Sequence, residues 1–493
     1  MPDRAEEDDV DGYRYDSFFV DNGFEPATSG RRVDVIAGRS EEVIGTVPYV
    51  SAQDARRVVR SARTAFDSGP WRRLAASERA EAMRRLADGL DRHADELAVL
   101  GAEEQGAPIA FGRAFLSANP QWALRHFADL IEKFPLREVR PGGPFNTLVL
   151  REPVGVTLAI TPFNAPLPLA IQKAAPALAL GCSVIVKAPP QAPLSCYLLA
   201  RVAAEAGLPP GVLSVVVADV PESELLVTHP GIDKVTFTGS TEVGRRIGEL
   251  CGHDIRRITL ELGGKSPAVL LPDVDLEQAT EGLVHASVGM VQGEMCTTQS
   301  RILAPRARYD EVVDALTARI ERMTVGDPLE ETTAIGPLIT ESHRARVERY
   351  IALGKDEGAK VTVGGKRPAS LERGWYLEPT LFAGADNSMT VSREEIFGPV
   401  AVVIPYDDVD DAVAIANDSP YGLSATVWSA DEQAALDVAQ RLDAGVISTN
   451  AFMVNPAAPF GGYKQSGVGR ENDVEGLSAF VEYKSISSTA VLE

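Results

Sequence analysis

Cys296 lies in the run Gln292-Gly293-Glu294-Met295-Cys296-Thr297-Thr298. A thiolate is a strong nucleophile toward carbonyl carbon, and a glycine shortly before it lets the backbone approach a ligand closely. Read alone, such a cysteine is more often a small core residue, and Cys182, Cys196 and Cys251 keep that plainer reading. Glu261 ends an apolar run, Thr259-Leu260-Glu261-Leu262, just before Gly263-Gly264. A carboxylate there is partly desolvated, which raises its pKa toward general-base range. The alternative is a buried structural glutamate paired with a lysine. Gly264-Lys265-Ser266 mimics the tail of a phosphate-binding loop, but Thr259 stands where that loop needs its first glycine.

Two further runs could meet a ligand. Phe237-Thr238-Gly239-Ser240-Thr241-Glu242-Val243-Gly244 follows a strand and opens a helix, whose free N–H groups suit a dinucleotide, although the spacing is not G-x-G-x-x-G. Asn164 stands in the Pro-flanked turn Thr161-Pro162-Phe163-Asn164-Ala165-Pro166. Its amide could donate to an oxyanion or simply close an Asx-turn.

The elements that must position these residues alternate along the chain. Helices are predicted from Ser51 as N-cap, over 77–92 and over 94–104, and the first 15 or so residues are acidic and expected to fray. From 154 onward short β-branched runs alternate with Ala/Leu-rich helices. Strands are predicted at 155–160, 183–186, 213–217 and 234–237, with helices at 194–206 and 223–228. A second series has strands at 268–271, 400–404 and 423–428 and helices at 309–323, 341–353 and 409–417. Near-continuous apolar strands between helices signal a parallel, doubly wound sheet, here twice. The alternating run 480–486 is expected to pair with a distant segment or another subunit.

Composition narrows the function classes. The chain has 493 residues, enough for two to four domains, and a net charge of −22 that opposes general nucleic-acid or anionic-membrane binding. Four cysteines without C-x-x-C and six scattered histidines point to no disulfide framework and no metal site. The start lacks the basic and apolar regions of a signal peptide, and a cytoplasmic location is expected. The charge-free stretch 154–172 is nearly long enough for a bilayer, but Pro162, Pro166 and Pro168 break it into a strand, a turn and a helix.

Taken together, the runs resemble the aldehyde dehydrogenase superfamily from about Tyr15 to the end. The carrying motifs are T-P-F-N-A-P at 161–166, F-T-G-S-T-x-x-G at 237–244, L-E-L-G-G-K-S-P at 260–267, G-x-x-C at 293–296, E-I-F-G-P-V at 395–400 and P-F-G-G-Y-K-x-S-G-x-G-R-E at 459–471. The resemblance implies two interlocked doubly wound α/β domains. These would be a Rossmann-like NAD(P)-binding domain over 1–135 and 154–265, and a catalytic domain over 266–462. A small β oligomerisation element would comprise 136–153 and 478–493, in a homodimer or homotetramer. It implies Cys296 as nucleophile, Asn164 and the Cys296 N–H as oxyanion donors, Glu261 as the base that activates water, and Lys173 and Glu471 as a proton path. For an NAD or NADP cofactor it implies contacts from Thr161, Pro162, Phe163, Lys187, Pro190, Phe237, Gly239, Ser240, Gly244, Leu262, Glu395 and Phe397. For the aldehyde it implies Phe163, Leu167, Glu294, Met295, Phe452 and Phe460.

Three departures from the pattern bear on specificity. Pro190 stands where NAD-preferring members usually carry a glutamate that clasps the ribose and repels a 2′-phosphate. Val291 and Glu294 replace the usual Asn and Gln before the nucleophile, and the plainer expectation for Glu294 is a side chain turned away or paired with a cation. The loop 450–458 and the helix after Asn164 offer no cation before Lys173, whereas a carboxylate-bearing semialdehyde would need an arginine. An uncharged aliphatic, terpenoid or aromatic aldehyde is therefore expected. The alternatives are a CoA-acylating semialdehyde dehydrogenase, against which Glu261 speaks, and a catalytically silent binding or structural protein of the same fold.

Overall fold

The structure is a computed structural model that describes residues 13–490. Its first sheet has eight strands in the spatial order Gly467–Val468, Arg257–Glu261, Lys234–Thr238, Val156–Ile160, Ser183–Ala188, Leu213–Val217, Ser17–Val20 and Gly23–Pro26. The five strands from Arg257–Glu261 to Leu213–Val217 are parallel, and the flanking ones are antiparallel. Val156–Ile160, Leu213–Val217 and Lys234–Thr238 are buried at every residue, as strands covered by helices on both faces must be. Each buried Val, Leu or Ile there contributes about 1.5–3 kcal/mol. The chain winds outward through Ser183–Ala188 and Leu213–Val217, then returns to the other side of Val156–Ile160. The strand order therefore reverses between Val156–Ile160 and Lys234–Thr238. In an open parallel sheet, the crevice beyond the carboxyl ends at such a reversal is where ligands bind.

A second sheet runs Lys360–Val363, Thr380–Ala383, Val400–Tyr406, Arg301–Pro305, Pro267–Leu270, Ser424–Trp428 and Val446–Thr449, parallel except at its Lys360–Val363 edge. The third sheet joins Val481–Ser488 to Asn146–Pro153 and Arg137–Pro141, all antiparallel. The distant partner of the final strand is thus the 146–153 segment of the same chain. Mixed α/β architecture with two mainly parallel sheets agrees with the doubly wound expectation.

Helix Pro166–Leu180 follows directly on the turn that holds Asn164. Proline at its first position costs no hydrogen bond there, and Gly181, at φ 100°, stops it in the left-handed region. The stretch 154–172 divides into the strand and this helix. Among the described residues no helix is long and apolar enough to cross a membrane.

Some expectations need correction. Tyr13–Arg14 already pairs with Gly45 and Thr46, and the Tyr13 hydroxyl donates to Glu96, so order begins before residue 15; residues 1–12 lie outside the described part. Strands within 17–48 were not anticipated. Their first hairpin turns on Asp21 and Asn22, at φ 54° and 62°, a left-handed pair that suits a two-residue turn but lacks the glycine that usually announces it. Helix Ala118–Lys133, also unassigned from sequence, packs against helix Ala76–Arg92.

Candidate active site

Glu261 ends its parallel strand, 3% exposed, with neither carboxylate oxygen hydrogen-bonded. Burial and the neighbouring Glu471 push its pKa well up, while Lys173 and Arg470 pull the other way. Room for it depends on Gly461, where a Cβ would lie 2.6 Å from Glu261 Oε1. Behind it, the fully buried Lys173 ammonium donates to Thr238 Oγ1 at 2.5 Å and Glu471 Oε1 at 2.7 Å, and the second Glu471 oxygen has no partner.

Cys296 follows a short left-handed passage: Val291, Gln292 and Gly293 have φ of 43°, 42° and 75°. A β-branched residue in this region is strained. The passage is held because Val291 packs in an apolar cluster with Ala107, Leu116 and Ala165, while the Gln292 amide donates to the Gln105 and Pro337 carbonyls. A Cβ on Gly293 would meet the Gly398 carbonyl at 2.2 Å, so glycine is required. The half-buried Cys296 thiol is pushed up to about 12 by burial, then Glu395 and Glu261; its own N–H and that of Thr297 act oppositely. Asn164 Nδ2 donates to the Glu294 carbonyl at 2.8 Å and reaches Met295 Sδ at 3.4 Å, which fixes the amide beside the cysteine loop.

Cys296, Glu261 and Asn164 all line one cavity of about 280 Å³. Its walls are mainly aromatic and aliphatic, with Met295, Phe452 and Phe460 among them, and its charged members among the described residues are the acids Glu261 and Glu471. The sequence reading missed Phe111, Phe115, Trp122, Phe127 and Leu169, which also line it. A signal existed: 111, 115, 119 and 122 recur at three- and four-residue steps, the spacing of one helix face.

Three expected aldehyde contacts are corrected. Leu167 is 1% exposed and packs in the core of the first sheet; two residues on, Leu169 takes the cavity face because helical side chains turn about 100° per residue. Phe163 turns to Phe397 and His343, edge to face, with ring centroids 5.6 and 5.8 Å away. Glu294 points away from the cavity: its carboxylate accepts from the Ile339 N–H at 3.2 Å and the Gln292 amide at 3.0 Å. Its other neighbour is His343 Nε2 at 3.4 Å, but that imidazole's pKa is lowered by burial, so the contact is not a pairing with a cation. Burial raises the Glu294 pKa well above the usual carboxylate range.

The residues facing the sheet's crevice suit a dinucleotide. At the reversal, Thr161–Phe163 leave one strand and Gly239–Ser240 the next. Ser240 caps helix Thr241–His253 by accepting from the Val243 N–H at 3.3 Å. A Cβ on Gly244 would lie 2.3 Å from Leu262, one on Gly239 2.4 Å from the Phe237 ring, and one on Gly263 2.3 Å from Glu395. The crevice floor is thus closed against anything larger than glycine. Phe237 and Leu262 are themselves core residues beneath it. Thr161 donates its N–H to the Lys187 carbonyl at 3.2 Å, and Lys187 and Pro190 stand half-buried at the next strand's end. Glu395 accepts from the Gly264 N–H at 3.1 Å and is raised to about 7 by burial. Phe397, at φ 63°, is held in the left-handed region beside it. A helix start, glycines where side chains would intrude, and a carboxylate with a free oxygen fit a sugar–phosphate ligand.

The aldehyde dehydrogenase family model matches residues 24–486. The chain belongs to this family. Geranial dehydrogenase of Castellaniella defragrans is 45% identical over 469 residues, covering 95% of this chain and 98% of that protein. A putative aldehyde dehydrogenase, DhaS, of Bacillus subtilis is 39% identical over 473 residues, 95% and 94% of the two chains. Among solved structures, the Mycobacterium tuberculosis aldehyde dehydrogenase complexed with NAD+ superposes with a TM-score of 0.95 at 42% identity, covering 96% and 98%. A Pseudomonas syringae aldehyde dehydrogenase, AldC, in a mutant form complexed with NAD+ and octanal, gives 0.93 at 37%, covering 98% of each. As an aldehyde dehydrogenase, the protein is an oxidoreductase of a nicotinamide-using family, and Cys296 lines the 280 Å³ cavity.

Proposed function

We propose that this aldehyde dehydrogenase oxidises uncharged aldehydes to carboxylic acids. The observation that carries the reading is a buried, unpartnered Glu261 carboxylate lining the same cavity as Cys296. Cys296 loses its proton to solvent and its sulfur attacks the aldehyde carbon, which leaves Glu261, with its raised pKa, for the hydrolysis step. The Asn164 amide and the Cys296 N–H stabilise the resulting oxyanion, each for about 3 kcal/mol. NAD or NADP, when bound, supplies the hydride acceptor. Loss of the carbonyl hydrogen leaves a Cys296 thioester. Glu261 then takes a proton from water, and the hydroxide so formed releases the acid. The Lys173–Glu471 pair carries the proton onward.

In the crevice, Lys187 would hold the adenosine ribose, Ser240 the pyrophosphate and Glu395 the nicotinamide ribose. The aromatic lining and the lack of lysine or arginine among its described residues support aliphatic, terpenoid or aromatic aldehydes, as do the geranial and octanal of the two relatives. The three-stranded sheet exposes Val139, Phe145, Tyr483 and Ile486, which supports its service as the contact in a homo-oligomer. The test is steady-state formation of reduced cofactor across a panel of geranial, octanal, benzaldehyde and succinic semialdehyde. Turnover of the first three, absent in Cys296→Ala, is expected. Full turnover by Cys296→Ala, or preference for the semialdehyde, overturns the reading.

A further inference from the structure

Two neighbouring parallel strands of the first sheet end side by side at the crevice, with Val217 in register with Ala188. Asp219 and Pro190 each lie two residues beyond that pair, at the same end of the sheet, where paired strands run about 4.8 Å apart. Pro190 offers neither a charge nor an N–H at this edge. Asp219 offers a carboxylate, held ionised by the Val220 N–H at 2.8 Å and by Arg31 at 2.9 Å. Asp219 is also the charged group that acts on Lys187, the basic side chain at the same strand end.

The charges around this point decide what it accepts. Lys187 and Arg31 are balanced by Asp219 and Glu222. Arg31 is engaged by both acids, at 2.9 and 3.2 Å, with its guanidinium 5.2 Å above the Tyr49 ring. Neither of these two cations is in surplus to meet a 2′-phosphate carrying a charge of about −2. A ribose diol needs only an acceptor and a donor, which a carboxylate and Lys187 provide. In dinucleotide-binding sheets an acidic side chain at a strand end clasps the diol of NAD and opposes NADP.

Resting on the nicotinamide-cofactor reading above, we propose that Asp219 supplies from the neighbouring strand the ribose-facing carboxylate that Pro190 does not, and so selects NAD over NADP. The substitution to test it is Asp219→Asn, since asparagine still caps the helix that begins at Val220.

Binding of NAD and of NADP to the full chain without aldehyde, followed by titration calorimetry, gives the ratio of the two dissociation constants. NAD is expected to bind at least ~10-fold more tightly, a difference of about 1.4 kcal/mol. Asp219→Asn is expected to bring that ratio close to one, and adding Pro190→Glu to restore it, because position 190 would then carry the carboxylate that 219 has lost. Equal affinities in the unmodified protein, or a ratio that Asp219→Asn does not move, overturns the assignment. Heat with NAD but no response to Asp219→Asn removes the ribose contact alone. No heat with either dinucleotide removes the cofactor reading and this inference together.

Discussion

Glu261 and Cys296 stand in unusual electrostatic states for their residue types. Burial raises both pKa values, so the resting site holds a thiol and a carboxyl group that favours its proton. In the proposed mechanism, thioester hydrolysis needs the carboxylate form. The hydrolysis-limited rate should therefore be low at acid pH, climb as pH rises through the elevated Glu261 pKa, and level off above it. Glu261→Gln is expected to flatten that profile and leave one equivalent of reduced cofactor formed rapidly, followed by turnover slowed about 100-fold or more. Rapid-mixing absorbance over a pH series checks both, and an unchanged profile would remove Glu261 as the base. Glu294 is turned away from the cavity, which was the plainer of the expectations for it. Sequence places it two residues before the thiol, but backbone direction turns its carboxylate onto Ile339 and Gln292. Such orientation depends on a loop with three successive left-handed residues, which residue identity alone does not announce.

At the scale of elements, helix Pro166–Leu180 separates two jobs along one turn. Leu167 fills the core and Leu169 faces the cavity. Leu167→Ala is expected to cost about 2–5 kcal/mol of stability with little change in KM. Leu169→Ala should cost less stability and raise KM for octanal several-fold while sparing acetaldehyde. Urea unfolding together with kinetics on the two aldehydes separates these outcomes, and reversed effects would mean the helix is rotated. Strands and helices from 154 onward were legible because each carries its own period: fully apolar runs for buried parallel strands, Ala/Leu stretches for the helices between. Helix 194–206 and strand 213–217 agree to the residue. The Ser17–Pro26 hairpin was not legible, because Asp21-Asn22 is a weak turn signal. Helix Ala118–Lys133 was missed, and with it the aromatic wall of the cavity.

The whole molecule brings its two large sheets together beside the candidate active site. Ser466, fully buried, donates to the Gly263 carbonyl at 2.7 Å and accepts from the Gly422 N–H at 2.9 Å, tying the loop after Glu261 to the second sheet. The third sheet instead turns apolar side chains outward. Ile486→Asp is expected to lower the assembled mass measured by light scattering, because a carboxylate is costly to bury in an apolar contact; an unchanged mass would move the subunit contact elsewhere. Local sequence was sufficient for the alternation of strands and helices, and its ordered motifs for the family, since periodicity and short motifs depend on neighbouring residues. It could not set the aromatic wall of the cavity, the inward turn of Leu167 or the pairing that brings the strand before Asp219 beside the strand before Pro190. Those arise where segments from about 30 to more than 300 residues apart pack together, and packing geometry is a property of the assembled core.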